Sequence, residues 1–171
     1  MTIASIGMGA NLGDAAQTLD QAIADIHALP DTSVLAVSSL YRSAPVEASG
    51  PDYTNAVIDI HTELDAHALL HHLQAIENSH GRTRPFHHAP RTLDLDILLF
   101  GEVEMQTHTL VLPHPRMHKR AFVLRPLAEL RPNLVLSQGT IDTLIDQCAG
   151  QSIERVTDTR LTVPANGGHG Q

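Results

Sequence analysis

Apolar positions along this chain follow two rhythms. Thr2–Met8 is an apolar run of strand length, and Tyr53–Thr62 alternates, with Val57 and Ile58 inside it, so both predict strands. Between them Leu19, Ala22, Ile23, Ile26 and Leu29 recur at helical spacing, with Asp14 placed to cap that helix and Pro30-Asp31 to end it. Gly9–Asp14 reads as the turn that leads in. Ser33–Tyr41 is β-prone, and Ser43–Pro51 is a loop of Pro, Gly and Ser. A second apolar stripe (Leu69, Leu70, Leu73, Ile76) makes Asp65–His80 a helix that stops at Gly81. A polar loop, Arg82–Pro90, precedes a strong strand, Leu93–Phe100. A turn over Gly101–Gln106 and a short strand near Thr109–Leu112 follow. Lys119–Leu130 reads as a helix interrupted by Pro126, and residues 133–148 as a last strand-like piece and a short helix. The order β-α-β-β-α-β plus a C-terminal extension predicts a ferredoxin-like α+β sandwich. Residues 1–162 are expected to form a single domain, and 163–171, ending in Gly-Gly-His-Gly, a frayed tail.

Composition narrows the function classes. The 171 residues are 42% apolar and 18% charged, which suits a folded domain rather than a disordered chain. No apolar run approaches the ~20 residues that span a bilayer, and no basic segment precedes an apolar one at the N-terminus. No membrane association is expected, and a cytoplasmic location is. The lone Cys148 excludes an intramolecular disulfide and any multi-cysteine zinc site. A net charge of −8 argues against nucleic-acid partners.

That total hides an asymmetry. Arg82, Arg84, Arg91, Arg116, Lys119 and Arg120 lie between residues 80 and 120, against Asp94, Asp96, Glu102 and Glu104. His80, His87, His88, His108, His114 and His118 fall there too. A basic, His-rich island in an acidic protein reads either as a site for a small polyanion or as a surface loop, and composition does not separate the two.

The glycine-rich stretch near the N-terminus is disfavoured as a nucleotide site. Gly7-Met8-Gly9-Ala10-Asn11-Leu12-Gly13 has the wrong final spacing for a dinucleotide fingerprint, and the strand ending Ser38-Ser39-Leu40-Tyr41 lacks the acidic residue such a site needs. Those glycines read as a tight strand-to-helix turn. No phosphate-loop sequence of the Walker A type occurs.

The informative segment is Pro90-Arg91-Thr92-Leu93-Asp94-Leu95-Asp96-Ile97-Leu98. Alternation puts Leu93, Leu95 and Ile97 on one face and Asp94 and Asp96 on the other, roughly 6.6 Å apart. Leu98 and Phe100 are expected to continue the acidic face as apolar. Carboxylates so placed repel unless a cation lies between them, so the pair reads as a divalent-metal site; a solvated acidic edge is the alternative. Arg82, Arg84, Arg91, His114 and Arg120 would surround such a site with donors. His67 and His71, four residues apart on a helix, read as a solvated face rather than a metal pair. The aromatics are Tyr41, Tyr53, Phe86, Phe100 and Phe122, and the choice between a slot for a flat ring and plain core packing stays open.

These segments resemble the 6-hydroxymethyl-7,8-dihydropterin pyrophosphokinases of folate biosynthesis. The resemblance rests on the Pro90–Leu98 segment with His87-His88-Ala89 before it, and on Gly9–Asp14, Ser38–Ser43 and Pro51–Ala56. It continues through Gln74–Glu77, Gly81–Arg84, Pro113-His114-Pro115 and Arg120–Leu127, covering roughly residues 1–135. It implies a ferredoxin-like sandwich that moves a pyrophosphoryl group from ATP to the pterin hydroxymethyl oxygen and releases AMP.

It further implies two Mg²⁺ held by Asp94 and Asp96, with Arg82 and Arg91 catalytic beside them. ATP would be bound by Gln74, Glu77, Arg84, Arg91, Ile97, His114 and Arg120. The pterin would stack between Tyr53 and Phe122 and be read by Asn55 and by backbone near Ser43, Ala44, Pro45 and Val46. Loops Ser43–Gly50 and Thr83–Ala89 would close over the reactants. His88 stands where many members carry Trp, and Pro115 where some carry an aromatic. The expected partners are the two small substrates alone, with the enzyme a monomer. A non-catalytic nucleotide-binding regulator on the same fold is the alternative function.

Overall fold

The computed structural model describes residues 1–11, 14–44, 52–81 and 93–165. β1 (Thr2–Ala10) runs two residues beyond its predicted end. Its even positions Ala4, Ile6, Met8 and Ala10 enter the main core. α1 (Ala15–His27) follows, and Asp14 caps it by accepting the Gln17 N–H at 3.1 Å. β2 (Thr32–Val37) and β3 (Tyr41–Ser43) replace the single strand expected over Ser33–Tyr41. The break has a local cause. The Ser38 N–H donates to the Val57 carbonyl, and the Ser38 hydroxyl accepts the Val57 N–H at 2.9 Å, so a side chain takes a ladder position. β4 (Tyr53–Thr62) and α2 (Ala66–Gly81) follow.

β5 (Asp94–Phe100) is next, then the small pair β6 (Met105–Gln106) and β7 (Val111–Leu112). A 3₁₀ turn at Met117–Lys119 leads into α3 (Ala121–Leu130), which runs unbroken through Pro126, contrary to the predicted interruption. Pro126 is buried there, and burial offsets the missing N–H. The extension forms β8 (Val135–Leu136), β9 (Gly139–Thr140), α4 (Ile141–Gln147) and β10 (Ile153–Arg155). Among the described residues, no helix is long and apolar enough to cross a membrane.

The main sheet orders its strands β10-β3-β4-β1-β5, with β2 also on β4. β2 pairs with the Ile58–Thr62 end of β4 and β3 with the Tyr53–Asn55 end, so the two share one edge. Counted as one strand, they complete the ferredoxin-like order of last, first, third, second. α1 and α2 cover one face, over a core that includes Ile6, Ile23, Ile58, Leu69 and Ile97. α3 and α4 cover part of the other face, over a second core that includes Val57, Leu98, Leu124 and Leu144.

Candidate active site

The cleft opens where the second core stops. On β1 the odd residues face α3, and two of them are Gly7 and Gly9. In register, Gly9 lies between Asn55 on β4 and Asp94 on β5, and Gly7 between Val57 and Asp96. The glycines are therefore not a turn but the floor of a cleft of about 930 Å³. A Cβ on Gly9 would sit 3.0 Å from Asn55 Nδ2, and one on Gly7 would meet the Leu98 side chain at 3.3 Å. Side chains there would fill the space between the acids and the amide.

Asp94 and Asp96 both line the cleft, while Leu93, Leu95 and Ile97 pack into the main core, as alternation predicts. The pattern slips farther along. The β1–β5 register shifts between Ser5 and Ile6, so Leu98 and Leu99 both enter the second core and Phe100 turns to the first. This bulge overturns the expectation that Phe100 continues the acidic face.

β5 is an edge strand, and Glu77 on α2 serves that edge: its carboxylate accepts the Leu95 N–H at 2.7 Å. Farther along, the Leu98 carbonyl accepts the His114 N–H at 3.0 Å, which places His114 beside the acids. The Arg116 N–H donates to His114 Nδ1 at 3.1 Å, so a neutral His114 carries its proton on Nε2. Burial lowers the His114 pKa. The Asp96 carboxylate opposes that shift, and Arg120 and Arg116 add to it. Arg116, Lys119 and Arg120 line the same wall, and the Arg120 guanidinium lies 5.6 Å from the centre of the Phe122 ring.

The opposite wall is built from β3 and β4. Asn55 is 5% exposed, and its Oδ1 accepts the Ser43 hydroxyl at 2.7 Å, which turns the amide nitrogen toward Gly9 and the cleft. Tyr53, Ala44 and Phe122 also line the cleft. Burial raises the Tyr53 pKa, and the nearby Asp94 charge raises it further.

The structure thus gathers Ser43, Ala44, Tyr53, Asn55, Asp94, Asp96, Arg120 and Phe122 around one cleft, with His114 near enough to Asp96 to feel its charge. It does not bring Gln74, Glu77 or Ile97 into that lining. Gln74 is exposed on α2, Glu77 braces the strand edge, and the Ile97 side chain points into the core. Arg82, Arg84, Arg91, Pro45 and Val46 lie outside the described residues, as do Phe86, His88 and most of both predicted closing loops. Residues 166–171 of the predicted tail do so too. Gln151 and Ser152 line the cleft without having been singled out in the sequence, because nothing local marks a residue after a C-terminal helix as a wall of a distant site.

The sequence profile of the family described as 7,8-dihydro-6-hydroxymethylpterin-pyrophosphokinase (HPPK) matches residues 5–132. The chain belongs to this family. A Pseudomonas aeruginosa 2-amino-4-hydroxy-6-hydroxymethyldihydropteridine pyrophosphokinase is 42% identical over 153 residues, 88% of this chain and 94% of that protein. The Haemophilus influenzae protein of the same name is 44% identical over 151 residues, 87% of this chain and 94% of its own length. Among solved structures, a Plasmodium falciparum HPPK-DHPS covers 85% of this chain with a TM-score of 0.68 at 14% identity, a likeness of fold. This chain spans 44% of that one.

The donor set suits a hard divalent ion of the kind this family's resemblance implies. Among the described residues, no group of three or more His, Cys, Asp and Glu could hold a metal. Two carboxylates beside an open, glycine-floored space leave the remaining positions to water and phosphate oxygens, as Mg²⁺ prefers.

Proposed function

We propose that this cleft carries out the pyrophosphoryl transfer of its family: ATP and 6-hydroxymethyl-7,8-dihydropterin become AMP and the pterin diphosphate. The observation that carries the reading is the row Asp94–Gly9–Asn55, with Asp96 one step along. It sets a carboxylate pair across an open floor from a buried amide. A polyphosphate and a flat polar ring can then lie side by side.

Each wall has one task. Asn55, oriented by Ser43, reads the polar edge of the pterin, and Tyr53 and Phe122 hold its faces. Arg120 and the Nε2–H of His114 hold phosphate oxygens, with Arg82, Arg84 and Arg91 completing that grip and Gln74, Glu77 and Ile97 on the nucleotide side. Asp94 and Asp96 hold two Mg²⁺, which when bound neutralise phosphate charge and favour loss of the alcohol proton. The hydroxymethyl oxygen attacks the β-phosphorus, its O–H bond breaks, and the proton leaves to solvent. The bond from the β-phosphorus to the α–β bridging oxygen breaks, and that oxygen leaves with AMP. Positioning and charge neutralisation supply the catalysis.

The test is nucleotide product analysis with ATP, Mg²⁺ and the pterin. Pterin-dependent AMP, matched by an equal amount of pterin diphosphate, is expected. ADP would make the protein an ordinary kinase. ATP binding without turnover would make it a nucleotide-binding regulator.

A further inference from the structure

The segment after α4 holds both walls of the cleft. The Gln151 amide spans Arg120: the Ala121 N–H donates to Gln151 Oε1 at 2.9 Å, and Gln151 Nε2 donates to the Lys119 carbonyl at 2.7 Å. Ala121 opens α3, and Arg120, the residue before it, provides no side-chain cap. Gln151 therefore satisfies a helix N–H that has no partner within the helix. Two residues on, Ile153 pairs with Ser43 in the β10–β3 ladder, and the Ser43 hydroxyl donates to Asn55 at 2.7 Å. One short stretch thus ties the wall of Arg120 and Phe122 to the wall of Asn55. It lies beyond residues 5–132, the part matched by the family profile.

We infer that Gln151 is a positioning residue for the proposed transfer: it fixes the backbone on both sides of Arg120 against the strand that holds Ser43, and so sets the spacing between the two walls. The inference rests on the pterin reading of the cleft. A helix cap needs only an acceptor. Gln151 also spends a donor on the Lys119 carbonyl, and that second bond separates positioning from capping.

Two variants divide these roles. In Gln151→Glu the carboxylate still accepts the Ala121 N–H, and its charge suits a helix N-terminus, but its second oxygen has no proton for the Lys119 carbonyl. Gln151→Ala removes both bonds. In both, the KM for the pterin should rise roughly tenfold, the worth of one hydrogen bond, with kcat changed less than about threefold. Amide exchange at Lys119–Phe122 should quicken in Gln151→Ala, which frees the Ala121 N–H, while the Tm of Gln151→Glu stays within about 3 °C of the parent. A parental pterin KM in a variant whose 119–122 amides exchange faster would overturn the positioning role. So would activity that falls only in step with the folded fraction. Unchanged exchange in Gln151→Ala would overturn the tie itself. Absence of pterin-dependent AMP from the parent protein would instead overturn the proposed reaction.

Discussion

At the residue scale, the site depends on which side chains are missing as much as on which are present. A methyl group on Gly9 would press on Asn55 Nδ2 at 3.0 Å, and that amide is already held from behind by Ser43. Gly9→Ala should therefore raise the pterin KM about tenfold and leave the KM for ATP near its parental value, as steady-state kinetics in each substrate will show. Asp96→Ala removes a carboxylate that faces the cleft and carries no packing, so the fold should survive. Turnover should fall at least a hundredfold, on the order of what one lost charge-stabilising group costs. Near-parental turnover with a parental circular dichroism spectrum would refute the metal assignment. The aspartates were legible in the sequence because strand alternation is a local rule. The glycine floor was not, because Gly7 and Gly9 fit a turn equally well until β4 and β5 flank them.

At the element scale, α3 is held to β3 by a second contact. The Tyr41 hydroxyl donates to the Glu129 carboxylate, whose other oxygen accepts the Ser39 N–H at 2.9 Å, and Arg125 lies 5.7 Å from the centre of the Tyr41 ring. Burial, then the Glu129 hydrogen bond and charge, push the Tyr41 pKa from 10.0 up to about 12. The folded form keeps its proton longer than the unfolded chain does. The stability this supplies is whole below pH 10 and is lost as pH rises toward about 12. Tyr41→Phe should lower stability near neutral pH by about 1–3 kcal/mol, since Glu129 loses a donor. It should also flatten the alkaline decline, which denaturant titrations from pH 8 upward will measure. Element boundaries failed in the sequence where a single group replaced a ladder bond, as Ser38 does for β2 and β3, or where burial outweighed propensity, as at Pro126.

At the scale of the whole molecule, two cores grip one sheet, and the part of the second face that α3 and α4 leave bare is the cleft. Among the described residues no cluster of three or more metal-ligating side chains occurs, so Mg²⁺ should contribute to the complex and little to the fold. Chelation should abolish turnover, yet move the Tm of the substrate-free protein by less than about 2 °C. ATP with Mg²⁺ should raise it by mass action. A large drop in Tm on chelation alone would mean that the ion is structural.

The order of the main elements, the ferredoxin-like class, the face shared by Asp94 and Asp96, and the family were all readable from the amino acids alone. Each of these follows from short-range periodicity or from contiguous motifs. It took the folded chain to show that Gly7 and Gly9 are a floor, that a bulge at Leu98 and Leu99 turns Phe100 to the other core, and that Glu77 braces the edge of β5. Folding alone brought Gln151 to Arg120. The physical reason is common to all four: register, edge position and wall spacing are set by pairings between residues far apart in the chain, which local pattern does not encode.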